Sequence, residues 1–215
     1  AGIAIALLMM KAGIKDIVLL ARKGILCEGE EWMNPAQAEI AKITNPRKLR
    51  GDLAVAMESS DVFIGVSGPD VCTKEMVASM NSDAIVFAMS NPIPEIYPDL
   101  ALEAGAMVVG TGRSDFPNQI NNVLAFPGIF RGALDVRATD INDEMKMAAA
   151  QALADLISED ELKPEYVIPK PFDPRVPEAV AVAVARAAID TGVAKLTGPD
   201  IIDYVRNRTR KLLGR

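Results

Sequence analysis

At 215 residues the chain is long enough for one large domain, or one domain plus a helical extension, with a substantial core. Hydrophobic residues make up 50% and charged residues 24%, a globular composition that excludes a mainly disordered chain. With 29 acidic against 23 basic residues the net charge is -6, so no nucleic-acid duplex, which needs a basic face, is expected as a partner.

Histidine is absent, which rules out a Ser-His-Asp apparatus and leaves Asp, Glu, Lys, Tyr or Cys for any proton transfer. The two cysteines, Cys27 and Cys72, lie far apart and in no metal-ligand spacing. They read as reduced thiols of a cytoplasmic protein.

The chain opens with the apolar run Ala1-Gly2-Ile3-Ala4-Ile5-Ala6-Leu7-Leu8-Met9-Met10. A membrane helix needs roughly 20 apolar residues and a signal peptide needs a basic lead-in, so neither a membrane nor an export signal is expected. Residues 1–12 are instead predicted to form the buried helix of a βα unit, stopped near Gly13, with the domain's first strand expected upstream of residue 1. Ile17-Val18-Leu19-Leu20 reads as a strand. Asn34 as cap and Pro35 in the first turn predict a helix over 34–41, and a further short helix is expected over 53–58. Val62-Phe63-Ile64-Gly65-Val66 is the next strand, followed by a helix over 73–80 capped by Thr73. Ile85-Val86-Phe87-Ala88-Met89 and Met107-Val108-Val109 complete the strands, with a helix over 99–104 between them.

Strands that alternate with helices and are apolar throughout predict a Rossmann-like, doubly wound α/β domain with a mostly parallel sheet. After Asn121 the pattern turns helical, over 123–136, 142–158, 177–190 and 199–213, with a proline-rich extended connector at 164–171. The expected division is a dinucleotide-binding domain over 1–136 and a helical extension over 137–215, packed on the same domain or on a partner.

In open α/β sheets ligands bind beyond the carboxyl ends of the strands, and here those loops hold glycine, serine and asparagine. Ala1 and Gly2 open a helix at the place where the last glycine of a G-x-G-x-x-G turn would stand and the pyrophosphate would meet the helix N-terminus. A small residue at a tight helix–strand contact accounts for Gly2 equally well. Past the following strand, Ala21 stands where a carboxylate would bond the adenosine ribose 2′-hydroxyl, and Arg22 and Lys23 come next. Two cations there would attract a 2′-phosphate, so the sequence favours NADP over NAD; a solvated basic turn is the other reading. Ser67 and Gly68 offer close backbone approach to a cofactor, or simply a turn. Ser90 and Asn91 end the third strand, and Asn121 and Asn122 begin the long helical stretch. An asparagine both donates and accepts, which suits a ligand bearing a hydroxyl and a carboxylate. A helix cap explains one of Asn121 and Asn122, but not both, and not Asn91.

The stretches Phe87-Ala88-Met89-Ser90-Asn91-Pro92 and Gly112 to Asn122, then Val123-Leu124-Ala125-Phe126-Pro127-Gly128-Ile129-Phe130-Arg131-Gly132-Ala133-Leu134-Asp135, closely resemble the nucleotide-binding domain of bacterial malic enzymes. Phe172-Asp173-Pro174-Arg175 ahead of an Ala/Val helix resembles it too. The resemblance implies oxidative decarboxylation of L-malate to pyruvate and carbon dioxide, with NAD or NADP as hydride acceptor and Mg²⁺ or Mn²⁺ required. It implies that Asn91 and Asn122 contact malate, that Asn91 also lies beside the nicotinamide, and that Gly2 is the last glycine of the phosphate-binding turn. The family often has Asp where Ala21 stands. Its catalytic Tyr and Lys and its Glu-Asp-Asp metal cluster fall before residue 1, and Tyr97, Tyr166 and Tyr204 match none of them. No catalytic or metal-binding residue is therefore assigned within the chain, and a homodimer is expected through the full-length protein. Two other readings stand beside this one: an amino-acid dehydrogenase on the same fold, and a nucleotide-sensing module without turnover.

Overall fold

A computed structural model describes residues 1–214. They form two compact units, Ala1–Phe116 and the chain from Pro117 onward. That division falls ahead of the 136/137 boundary expected from the sequence.

The first unit begins with α1 (Gly2–Lys11), released at Gly13, whose φ of 99° suits a residue without Cβ. A short hairpin follows, β1 (Leu20–Ala21) antiparallel to β2 (Gly24–Ile25). In α2 (Pro35–Ala41) the Asn34 side chain accepts from the Gln37 N–H at 2.9 Å, and the Gln37 side chain accepts from the Asn34 N–H at 3.0 Å. Two N–H groups at the helix start are thus satisfied by one reciprocal pair. Then come α3 (Leu53–Met57) capped by Asp52, β3 (Val62–Gly65), α4 (Lys74–Ala78) capped by Thr73, β4 (Ile85–Ala88), α5 (Pro98–Glu103) and β5 (Val108–Thr111). The last three strands form a parallel sheet in the order β3-β4-β5, as the alternation of strand and helix predicts. Its core joins Phe63, Val86, Ala88 and Val109 to Met57, Val77, Ile96 and Ala101 on the flanking segments.

The run 17–20 differs from expectation. Only Leu20 enters a ladder, and that ladder is the hairpin, not the parallel sheet. A run of apolar residues becomes a sheet strand only where a neighbour supplies hydrogen bonds. On one side, the Asn45 N–H donates to the Ile17 carbonyl at 2.7 Å and the Leu26 N–H to the Leu19 carbonyl at 2.8 Å. Elsewhere the run borders a cleft of about 1780 Å³ that also follows β3 from Asp61 to Gly68. Among the described residues, β3 is paired only with β4.

The second unit starts with a 3-10 turn (Asn122–Leu124) and continues through α6 (Phe126–Asp135), α7 (Asp143–Ala154), α8 (Val176–Asp190) and α9 (Ile201–Leu212). The helix expected over 123–136 is broken because Pro127, lacking an N–H, belongs in a first turn and restarts the helix at Phe126. α8 is the hub: Val180, Ala181, Val184, Ala185 and Ala188 are fully buried. The connector at 164–171 is not uniformly extended, since Lys163 and Tyr166 pair across a turn. Asn118 pins it, donating to the Pro164 carbonyl at 2.8 Å and accepting from the Val167 N–H at 2.9 Å. No helix among the described residues is long and apolar enough to cross a membrane.

Candidate functional site

The three parallel strands end in loops that are bonded to one another. The carboxyl group of Glu95, wholly buried, lies between the first two. Its Oε1 accepts from the Ser67 N–H at 2.8 Å, in the loop after β3, and its Oε2 accepts from the Ser90 N–H at 2.9 Å, in the loop after β4. The Ser67 hydroxyl adds a longer bond of 3.4 Å to Oε1. Main-chain bonds reinforce the junction: Met89 N–H to the Gly65 carbonyl at 3.0 Å, Asp70 N–H to that of Pro94 at 3.1 Å, and Cys72 N–H to that of Glu95 at 3.0 Å. Gly65 makes room for the carboxyl, because a Cβ there would lie 2.5 Å from Glu95 Cδ.

Arg113, in the loop after β5, ties in the third. It donates to the Pro92 carbonyl at 3.1 Å, pairs with Asp115 at 2.7 Å, and lies over the rings of Tyr97 and Phe116 at 5.8 and 5.7 Å. Asp115 holds the Arg113 guanidinium above its ordinary pKa, and Arg113 in turn holds the Asp115 carboxyl below its own. Asn91 sits between these two ties, exposed, at a cis peptide bond to Pro92. The sequence analysis singled out neither Glu95 nor Arg113, the two side chains that join these loops.

Of the residues expected to meet a cofactor, the cleft of about 1780 Å³ brings Gly2, Arg22, Lys23, Ser67 and Gly68 to one lining. Ala1, Ser90 and Asn91 are not on it, although Ser90 is linked to Ser67 through Glu95. Arg22 and Lys23 are the exposed turn of the hairpin between Ala21 and Gly24. The start of α1 has no side-chain cap and no acidic residue in its first turn, as an N-terminus suited to an anion requires. A Cβ at Gly2 would meet Leu19 and Val66 at 3.6 and 3.7 Å, ordinary contacts, so close helix packing does not demand glycine there. A Cβ on Gly68 would point into open space.

In the second unit Asn121 caps the 3-10 turn, accepting from the Val123 N–H at 3.0 Å, while Asn122 is exposed. Of the neighbouring pair, only Asn121 is the cap. Cys72 is no candidate base or nucleophile, because burial, reinforced by the charge of Glu95, pushes its thiol up to about 12. No group of three or more His, Cys, Asp or Glu side chains is placed to hold a metal among the described residues. No step involving a metal is therefore derived from this chain.

Residues 6–189 match the family model for the NAD binding domain of malic enzyme. The chain is 59% identical over 213 residues to a bifunctional malic/malolactic enzyme of Bacillus subtilis, covering 99% of the chain and 52% of that protein. It is 45% identical over 216 residues to an NADP-dependent malic enzyme of Halomonas elongata, covering 93% of the chain and 50% of the relative. The crystal structure of malic enzyme from Pyrococcus horikoshii superimposes with a TM-score of 0.91 at 41% identity, covering all of this chain and 51% of that one. The chain thus spans about half the length of the proteins it matches.

Proposed function

The chain belongs to the family of malic enzyme NAD-binding domains, and on that premise we propose that the full-length protein oxidises and decarboxylates L-malate to pyruvate and carbon dioxide. In this reading the first unit holds NAD(P) along the cleft and the strand-end loops, and Asn91 and Asn122 hold the substrate. The observation that carries it is the single lining shared by Gly2, Arg22, Lys23, Ser67 and Gly68 beside an uncapped helix start.

The pyrophosphate falls to the N–H groups of α1 beyond Ala1 and Gly2, where the helix dipole favours an anion. Ser67 and Gly68 present main chain to the dinucleotide, and Ser90 and Asn91 flank its nicotinamide end. Arg22 and Lys23, with Ala21 in place of a carboxylate, favour the 2′-phosphate of NADP. Bound nicotinamide supplies the acceptor for the hydride leaving the malate carbinol carbon. Asn91 and Asn122 act as neutral donors and acceptors that orient the hydroxyl and carboxylate without adding charge. Proton transfer, and the Mg²⁺ or Mn²⁺ that the reaction requires, fall to residues outside this chain. We place the protein in the cytoplasm, in keeping with two buried free thiols, and propose that the full-length protein is a homodimer.

The test is malate-dependent reduction of NAD⁺ and of NADP⁺ by the full-length protein, with and without Mn²⁺. Turnover that needs malate and metal, with the lower KM for NADP⁺, is expected, and the 215 residues alone should give none. A lower KM for NAD⁺ overturns the cofactor preference. Metal-independent oxidation of an amino acid, or binding of dinucleotide without turnover, overturns the reaction.

A further inference from the structure

We infer that Glu95 is a positioning residue for cofactor binding, its carboxylate setting the spacing of the two loops that receive the dinucleotide. The inference rests on the cofactor reading above, but its physical basis is separate. A charged side chain is rarely buried without a compensating set of donors. Here the donors are not a cation: they are main-chain N–H groups of two different loops, one to each oxygen, with a longer bond from the Ser67 hydroxyl.

That division of labour is what makes the group act on position. An ionised carboxylate is acceptor-only on both oxygens, so it holds two donors at once, one on each oxygen. The Ser67 N–H lies 28 residues before Glu95 in sequence and the Ser90 N–H five residues before it. The side chain therefore joins segments that the sheet itself would fix only as far as Gly65 and Ala88, the last paired residues of β3 and β4. Ser67 and Gly68 lie on the cleft lining, and Ser90 precedes Asn91. A change at Glu95 must move residues that face ligand, although Glu95 itself is fully shielded from it.

Glu95→Gln separates this role from simple filling of space. Glutamine keeps the volume but has one acceptor oxygen, and its amide NH₂ would face a main-chain N–H, donor against donor. One loop is then released while the buried volume stays filled. In the full-length protein, measured well below its melting temperature, E95Q should raise the NADP⁺ dissociation constant by about tenfold or more, since a bond to a charged acceptor is lost. Glu95→Asp, too short by one methylene to reach both donors, should not restore binding. Turnover at saturating cofactor should recover more than does the cofactor KM.

Wild-type protein serves as the control that keeps the two readings apart. If the wild type binds no NAD(P)⁺, the cofactor reading fails whatever Glu95 does. If the wild type binds and folded E95Q binds within about twofold of it, the inference about Glu95 fails. Should E95Q not fold, hydrogen exchange on the wild type decides: the Ser67 and Ser90 amides should gain protection together on NADP⁺ binding. Protection of one without the other overturns the proposal.

Discussion

The carboxyl of Glu95 occupies the space that a side chain at position 65 would need: a Cβ on Gly65 would come 2.5 Å from Glu95 Cδ and 2.7 Å from Oε2. Because the carboxyl is bonded on both oxygens, it cannot swing aside without giving up main-chain donors. Gly65→Ala should therefore cost about 1–3 kcal/mol, the usual penalty for overfilling a packed site. The same change in a Glu95→Ala background should cost much less, since the obstacle is gone. Urea midpoints of the four proteins in a double-mutant cycle check this, and additive penalties would show that the two residues do not interfere.

Asn122 is the exposed member of a pair whose other member is spent on a cap. Asn122→Ala in the full-length protein should leave its folding intact. It should weaken malate handling by about 1–3 kcal/mol, seen as a raised malate KM or a lowered kcat. Asn121→Ala should instead act on stability, by about 1 kcal/mol, through the lost cap. Steady-state kinetics and thermal unfolding of both variants test the division, and unchanged malate kinetics in Asn122→Ala would remove it from the site.

Asp135 is a buried carboxyl facing Arg131 at 2.6 Å and Arg208 at 3.5 Å. Burial pushes its pKa up, and the two guanidinium groups only partly offset that. A carboxyl whose folded pKa lies above its unfolded value contributes stability below the unfolded pKa, and that contribution is lost as pH rises through the folded one. Asp135→Asn cannot titrate, and the price of leaving the arginines unpaired stays constant in it. The stability gap between wild type and Asp135→Asn should accordingly shrink as pH rises above the ordinary carboxylate range. Chemical denaturation at several pH values measures it, and a gap that widens with pH would reverse the assignment.

How much of this could be read before any coordinates depends on where each signal sits. The helix at Pro35–Ala41 was legible because its start is local: Asn34, Pro35 and Gln37 lie within one turn. The parallel strands β3, β4 and β5 were legible because each is a short, continuously apolar run, and the glycine-, serine- and asparagine-bearing loops lie where those runs stop. The run 17–20 misled because a strand is made by its neighbour, and no neighbour can be read from the run itself. Glu95 was illegible for a similar reason. In Ser-Asn-Pro-Ile-Pro-Glu it looks like a solvated loop charge, and its burial depends on a donor 28 residues away. The one available hint was Gly65, a glycine inside an apolar strand, which marks a place where something approaches closely.

The crossing of α6 and α8 carries a consequence of its own. A Cβ on Gly128 would strike the Val180 side chain, 2.6 Å from its Cβ, whereas one on Gly132 would run into the main-chain carbonyl of Ala181. Only glycine at position 180 would remove that Cβ, and no substitution removes a carbonyl. In any lineage descending from this protein, position 128 can drift only after position 180 has become glycine, and position 132 has no companion whose change would set it free.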